Sequence, residues 1–363
     1  MLETLHIENN KIKELPEELG NLVNLKNFIL NNNEIEVIPD TFYRLRKVEK
    51  IIANNNKIKE IGEGIQNFSE LNELDIGFNS IQSLPKEISK LENLRILHVN
   101  NNHLGDSIEE IIRIKSLTHL DLSGNNLKTV PVASGLENLD KLKELALNDN
   151  LLEEIPSEIK LLQKLKRLYL SNNNLKSLPP EIEELRFLKL LDVSRNNFET
   201  IPECIFNLES LAHLFIGGNK ISSVPHSINK LVKLERLWLD HNQLVNLPVE
   251  ICKLENLSEL NLESNIQLES LPEGFKQLRR LKNINVNNCS PKLDVAVLSF
   301  FRWRKIQIRM KAMNVLKEFN KLGFAKMAKE ATEKNNDSED SIASDITDEN
   351  QVDYHEENLF KEE

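Results

Sequence analysis

The sequence repeats itself with a spacing of 23 residues along most of its 363-residue length. Two repeats are longer, by two residues after Leu117 and by one after Leu257. A lone repeat of this size cannot bury its own leucines, so each must stack on its neighbours and the chain is constrained to a solenoid. The thirteen leading residues, each taken as position 0 of its repeat, are Leu2, Leu25, Val48, Leu71, Leu94, Leu117, Leu142, Leu165, Leu188, Leu211, Leu234, Leu257 and Leu281.

The spacing of apolar residues changes midway through each repeat, as residues 165–187 show. Leu168 and Leu170 are two residues apart, which predicts a strand with one buried face, whereas Ile182 and Leu185 keep the spacing of a short helical turn. Proline at position 14 of most repeats, often followed closely by Glu, predicts a helix start with proline as the first helical residue. The predicted fold class is an α/β repeat solenoid, a horseshoe with a parallel sheet on its concave face and short helical or extended returns on its convex face.

An asparagine occupies position 8 of every repeat except the last, where Cys289 stands. The chain turns inward at the end of each strand, and a side-chain amide carries both the donors and the acceptor that the turning backbone needs. We therefore predict a structural asparagine ladder rather than a ligand site. Its members are Asn10, Asn33, Asn56, Asn79, Asn102, Asn125, Asn150, Asn173, Asn196, Asn219, Asn242 and Asn265.

The pattern L-x-x-L-x-L-x-x-N-x-L-x-x-L-P-x-x-I-x-x-L, at residues 165–185 and 234–254, resembles the intracellular 23-residue class of leucine-rich repeats. The resemblance covers roughly residues 2–298 and is strongest to Ras-pathway leucine-rich-repeat scaffolds, the Ras suppressor protein, the plant Ras-group proteins and the repeat domains of Scribble and Erbin. It implies a cytosolic scaffold of signalling complexes. Four residues depart from the pattern, namely Val48, Gly62, Ser107 and Ile108.

Charge is unevenly distributed along the chain, whose net charge is −11. We predict a solenoid of about thirteen repeats at residues 1–290, a cap with a basic amphipathic helix at 291–334, and a disordered acidic tail at 335–363. The repeats themselves are acidic and show no basic stripe in the sequence, which argues against nucleic acid as the main ligand.

The compartment is predicted from the termini and the cysteines. Met1 leads straight into a repeat without a signal peptide, and no apolar stretch is long enough to span a bilayer. Cys204, Cys252 and Cys289 are an odd number and are not clustered, which favours reduced thiols and a cytoplasmic protein.

Aromatic residues recur at position 4, which should face the open side of the sheet. Aromatic and arginine side chains together on such a face are typical of an interface hot spot, so we predict that a protein partner binds here. Two alternatives stay open: the aromatics stack only on each other, or the C-terminal residues cover them. The main candidate patch comprises Tyr169, Phe215 and Trp238 with Arg167, His213, Arg236, Asp192 and Asp240, and a weaker second candidate comprises Ile29 and Ile52.

The C-terminal segment offers another contact site. Apolar residues from Ile308 to Leu322 follow 4-3-4-3 spacing, which predicts one helical stripe with basic residues elsewhere on the helix. Such a helix is typical of a calmodulin target or a peripheral membrane contact, and the alternative is that its stripe packs on the last repeat.

No motif for catalysis, nucleotide binding or a metal is present, so we predict neither enzyme activity nor a cofactor. The favoured hypothesis is a non-catalytic scaffold or adaptor in intracellular signalling. The resemblance implies a small GTPase or a phosphatase subunit as its partner. The alternative hypothesis is a targeting or regulatory subunit of an enzyme complex that docks through the C-terminal helix.

Overall fold

The computed structural model describes residues 2–130, 135–293 and 297. The chain divides into two units, Met1–Val297 and Leu298–Glu363, and every described residue lies in the first. Leu293 and Val297, which belong to the predicted cap, are buried. The predictions of a basic amphipathic helix and of an acidic tail lie outside the described residues.

Short strands of three residues form one parallel sheet, and their order in the sheet follows the chain. Paired residues of neighbouring strands are 23 apart in the sequence, except for 25 between β6 and β7 and 24 between β12 and β13. The predicted solenoid with a parallel sheet is confirmed. Within the described residues the strands are β1 (Thr4–His6), β2 (Asn27–Ile29), β3 (Lys50–Ile52), β4 (Glu73–Asp75), β5 (Ile96–His98), β6 (His119–Asp121), β7 (Glu144–Ala146), β8 (Arg167–Tyr169), β9 (Leu190–Asp192), β10 (His213–Phe215), β11 (Arg236–Trp238), β12 (Glu259–Asn261) and β13 (Asn283–Asn285).

The described return segments between strands are 3-10 helices, with the exception of one short α-helix, α1 (Glu109–Ile112). The proline was predicted as the first helical residue, but it lies one residue before the helix, at the N-cap. Pro16, for example, is the N-cap of Glu17–Asn21, with φ −70° and ψ 146°. Extended backbone there lets its carbonyl accept the first helical hydrogen bond, from the Leu19 amide at 3.0 Å. The 3-10 helices are Glu17–Asn21, Asp40–Arg44, Glu63–Asn67, Lys86–Lys90, Leu136–Leu139, Ser157–Leu161, Pro180–Glu184, Glu203–Asn207, His226–Lys230, Val249–Lys253 and Phe275–Gln277.

The core lies between the sheet and the returns, and an aromatic cluster in its N-terminal part explains one departure from the repeat pattern. The Tyr43 ring packs 5.7 Å from that of Phe68, measured between ring centroids. The Gly62 amide, which a proline would lack, donates to the Tyr43 hydroxyl at 2.7 Å. Gly64 lies against the same ring, where a Cβ atom would collide. Glycine at 62 and 64 therefore accommodates Tyr43.

The asparagines of position 8 lie beneath the turn that ends each strand, and Asn173 shows the arrangement. Its side-chain nitrogen donates to the carbonyl of Leu147 in the preceding repeat at 2.9 Å and to that of Leu170 in its own repeat at 3.1 Å. Its side-chain oxygen accepts the Leu152 amide at 3.0 Å. Each buried asparagine of this kind ties two repeats together.

The two ends of this ladder differ from its middle. Asn10, in the first repeat, is exposed and donates only to carbonyls of its own repeat, those of Ile7 and Glu8. In the last repeat the thiol of Cys289 donates to the Leu262 carbonyl, with an Sγ–O distance of 3.1 Å. The thiol thus makes the cross-repeat bond that an asparagine makes elsewhere.

A second backbone feature recurs at position 7, immediately before the ladder residue, and the sequence analysis did not predict it. In all thirteen repeats this residue is left-handed, with φ between 49° and 65°. Asparagine and glycine tolerate this conformation best, and they occupy most of the positions. The residues are Asn9, Asn32, Asn55, Phe78, Asn101, Gly124, Asp149, Asn172, Arg195, Gly218, His241, Ser264 and Asn288.

Candidate protein-binding face

The side chains of positions 2 and 4 form the face of the sheet that points away from the core, called the open face below. At position 4 the strand register places Tyr169, Asp192, Phe215 and Trp238 on four successive strands, β8 to β11. Parallel strands lie about 4.8 Å apart, so these residues share one surface about 15 Å long. The main patch predicted from the sequence is therefore contiguous in space.

Tyr169 is not exposed, which corrects the expectation of an exposed aromatic column. It packs with Ala146 and Leu190, all three are buried, and Phe215 packs against the group. Burial raises the pKa of the Tyr169 hydroxyl to about 12. These four residues are called the apolar floor below. Tyr169 supports the surface, and the partly exposed aromatics are Phe215 and Trp238.

Phe215 and Trp238 pack on each other, with their ring centroids 4.6 Å apart and an interplanar angle of 46°. The Trp238 indole nitrogen donates to one carboxylate oxygen of Glu259 at 2.7 Å. The other oxygen lies 3.6 Å from Nε of Arg236. Glu259 thus fixes the indole and the guanidinium at once, and both remain partly exposed. Rigid aromatic and arginine groups lose little entropy when a partner binds.

Arg167 is held in a similar way by an acid from the preceding strand. Its Nε donates to Glu144 at 2.5 Å, and the Glu144 side chain is almost completely buried. The Arg167 side chain itself remains 40% exposed. Neither Glu144 nor Glu259 was among the patch residues predicted from the sequence. Opposite charges at the same position of neighbouring repeats, here position 2, would have revealed both pairs.

Asp192 lies between Tyr169 and Phe215 at position 4. Burial raises the pKa of its carboxyl, an effect that hydrogen bonds from Ser194 oppose. The Ser194 amide and hydroxyl donate to the same Asp192 oxygen at 3.0 Å and 2.6 Å. Asp192 is therefore committed largely to its own repeat, which makes it a supporting residue of the patch.

The histidines and Asp240 occupy the edges of the patch. The His213 ring centroid lies 6.2 Å from that of Phe215, and burial lowers the pKa of this histidine. Asp240 lies 3.1 Å from Nδ1 of His241. Among the described residues no group of three or more His, Cys, Asp or Glu side chains is placed to hold a metal ion.

The second candidate patch is separate from the first. Ile29 and Ile52 are paired neighbours on β2 and β3, and both are half-buried. Five strand spacings, about 24 Å, separate β3 from β8, which carries Tyr169. One compact contact cannot cover both patches, but an extended partner can.

The family described as a leucine-rich repeat region matches residues 1–120 and 153–243, and the leucine-rich repeat family matches 116–139 and 233–254. A comparison with curated proteins gave no significant match.

Solved structures of the same fold come from several organisms. A leucine-rich-repeat protein of Leptospira interrogans is 33% identical, with a TM-score of 0.69 and a match over 82% of each chain. The internalin InlF of Listeria monocytogenes is 23% identical, with a TM-score of 0.62 over 78% of this chain and 86% of its own, and shows the fold alone. The plant peptide hormone receptor RGFR1, in complex with RGF2, is 26% identical, with a TM-score of 0.59 over 79% of this chain and 51% of its own.

Stacked repeats with an open parallel sheet define a solenoid of the kind whose exposed strand residues form an extended binding surface. The chain belongs to the leucine-rich repeat family. Repeats of this family generally mediate contacts between proteins. In residues 2–130, 135–293 and 297, no helix has the length and apolar character required to cross a membrane.

Proposed function

We propose that this protein is a non-catalytic scaffold or adaptor that binds a protein partner through the open face at β7 to β12. The observation that carries the proposal is the Phe215–Trp238 pair, partly exposed and fixed through Glu259. A rigid aromatic pair beside an arginine is the composition of an interface hot spot. The three buried residues of the apolar floor, Ala146, Tyr169 and Leu190, supply a packed base against which Phe215 rests.

The proposal includes a role in cytoplasmic signalling. The resemblance to Ras-pathway scaffolds makes a small GTPase or a phosphatase subunit the first class of partner to test.

Burial raises the pKa of Cys204 to about 11 and also raises that of Cys252, so both thiols are kept in their unreactive form. Fractionation of the native cell tests the location independently of the partner.

Affinity purification from the native cell tests the binding face. We expect Phe215→Ala with Trp238→Ala to lose the main partner, because removing two hot-spot residues weakens binding by roughly a hundredfold or more. The matched control is Phe187→Ala with Val232→Ala, which removes two apolar side chains that are 60% and 58% exposed and lie off the open face. If the first variant melts normally and retains every partner of the wild type, the proposal is wrong.

A second candidate function is a targeting or regulatory subunit that docks through the predicted helix of residues 306–322. Its support is the amphipathic spacing of the sequence. Deletion of residues 306–363 separates the two proposals: loss of the partner in this variant alone, with retention by the Phe215 and Trp238 variant, favours the second.

A further inference from the structure

Charged side chains at the same position of neighbouring repeats are usually opposite in sign in this solenoid. Stacking places such side chains about 4.8 Å apart, so unlike charges attract across the repeat boundary. Three pairs at three different positions show the rule: Lys26–Glu3 at 3.0 Å, Lys50–Glu73 at 2.8 Å and Lys57–Glu34 at 2.9 Å.

Three lysines at position 1 break this rule. Lys143, Lys166 and Lys189 stand in consecutive repeats, and all three are exposed. Backbone hydrogen bonds fix their stacking: the Lys166 amide donates to the Lys143 carbonyl at 2.7 Å, and the Lys189 amide to the Lys166 carbonyl at 2.8 Å. None of the three forms an ion pair with another described residue, and like charges placed side by side destabilise a sheet. We call them the lysine row.

The lysine row borders the apolar floor. Lys166 is followed in the chain by Arg167, and Lys189 by Leu190, whose buried side chain belongs to the floor. Tyr169, two residues after Arg167 on β8, is buried with Leu190 in the same floor. Position 1 immediately precedes each strand and position 4 lies three residues further on, so the lysine row and the aromatic part of the floor are about 10 Å apart along the strands. The expectation that the solenoid has no basic stripe is wrong here: three lysines that stand 23 residues apart in the sequence become neighbours when the repeats stack.

We propose that the lysine row and the apolar floor together dock an acidic, extended segment of a partner protein, one that carries apolar side chains among its carboxylates. This inference rests on the proposed function and names the chemistry of the partner. The carboxylates neutralise a row of cations that the solenoid leaves unpaired, and the apolar side chains pack beside Phe215. An extended peptide can place its carboxylates over the lysine row and its apolar side chains over the floor, whereas the evenly spaced phosphates of nucleic acid would also face Asp192, Asp240 and Glu259, which repel them.

Fluorescence anisotropy with a labelled random copolymer of glutamate and tyrosine tests the proposal on the full chain. We expect this probe to bind, and Lys143→Gln with Lys166→Gln and Lys189→Gln to weaken its binding by about tenfold at low salt, since each exposed ion pair contributes modestly. The matched control replaces Lys26, Lys57 and Lys59 by Gln. These lysines carry the same total charge but already have acidic partners, so we expect less than a twofold change.

Other probes test which ligand chemistry the lysine row and the apolar floor recognise. Polyglutamate should bind more weakly than the copolymer. A lysine–tyrosine copolymer, which the acidic chain attracts at other sites, should not be weakened by the lysine-row substitutions. The proposal is overturned if the glutamate–tyrosine probe does not bind, if both triple variants weaken it equally, or if oligothymidylate binds more tightly than the copolymer. If the native partner is lost from the Phe215 and Trp238 variant but kept by the lysine-row variant, the proposed function stands and this inference alone fails.

Discussion

At the scale of single residues, Phe78 is the least favourable of the thirteen residues at position 7 of the repeats. Its backbone is left-handed, with φ at 50°, and its side chain is 54% exposed. A residue with a Cβ atom is strained in this conformation by roughly 1–2 kcal/mol, and asparagine less so because its side chain can bond locally. Asparagine occupies the same position in both neighbouring repeats, at Asn55 and Asn101.

Phe78→Asn should therefore raise the free energy of unfolding by about 1 kcal/mol, measured by urea denaturation. An added asparagine would also stand beside Asn55, whose own side chain donates to Asn32 at 2.6 Å. Phe187→Asn is the matched control, because Phe187 is similarly exposed, at 60%, but does not have a positive φ. A gain of the same size in both variants would show that exposure, not backbone strain, is responsible.

Asp192 predicts a dependence of stability on pH. Because burial raises its pKa, the folded state binds this proton more tightly than the unfolded chain does. Its contribution to stability is then most favourable below the ordinary pKa and declines as the pH rises through the raised pKa. Asp192→Asn should stabilise the protein at pH 7, and the difference from the wild type should shrink toward pH 3.

The chain already contains a precedent for this substitution. Asn261 stands at the same position and accepts the amide of the residue two places on at 3.2 Å, as Asp192 does at 3.0 Å. Asp75→Asn is the control. Asp75 accepts the equivalent hydrogen bond from the Gly77 amide, but its other oxygen also accepts one from the Asn54 side chain, and a neutral amide is a weaker acceptor for that second bond. Thermal melts across the pH range would contradict the prediction if Asp192→Asn gave the same shift at every pH.

Much at the residue scale could be predicted from the sequence, and the failures share one cause. The asparagines of position 8 were assigned a backbone role from the repeat pattern, and Asn173 makes the bonds that such a role requires. The burial of Tyr169 was not foreseen, because it depends on Ala146 and Leu190 from neighbouring strands. A single repeat shows which face a side chain takes but not how closely its neighbours pack.

At the scale of elements, one defect in the core lies between β3, β4 and the returns beside them. A cavity of about 20 Å³ is lined by Ala53, Phe42, Phe68, Leu74 and other apolar residues. Position 5 carries Leu, Ile or Val in every repeat but this one, where Ala53 leaves space. The space is large enough for one water but offers it no polar partner, so it is expected to be dry.

Filling this cavity should strengthen the packing of β3 on its return. Ala53→Val should raise the free energy of unfolding by about 0.5–1 kcal/mol, through buried methyl groups and lost cavity volume. Ala212→Val, which adds the same groups to a half-buried position, is the control and should have little effect. Loss of stability in Ala53→Val would show that the walls cannot accommodate the side chain.

The type and order of the elements followed from the sequence, while their fine structure did not. A change from two-residue to three-residue spacing was enough to predict strand and helical return in each repeat. It could not distinguish 3-10 from α-helix, because a return of five residues such as Glu17–Asn21 satisfies either spacing. Among the described returns between strands, the α-helix α1 occurs where Ser107 and Ile108 break the pattern.

At the scale of the whole solenoid, each repeat contacts mainly its neighbours, so the structure should tolerate loss of a complete repeat but not of part of one. The hydrogen bonds support this expectation. The Asn72 carbonyl accepts the Arg95 and Ile96 amides, and the Arg95 carbonyl accepts the Thr118 and His119 amides, in the same geometry. Removing residues 76–98 would join Asp75 to Val99 and let Asn72 take over the bonds of Arg95.

We expect this 23-residue deletion to fold cooperatively with one strand fewer, observed as a sigmoidal urea transition. Deletion of residues 76–87, which is not a multiple of the repeat, is the control and should expose apolar surface because it disrupts the stacking. The complete deletion also moves Ile29 and Ile52 about 4.8 Å closer to Phe215 and Trp238. A partner that contacts both patches should then bind the shortened protein more weakly, whereas a partner confined to the main patch should bind it with unchanged affinity.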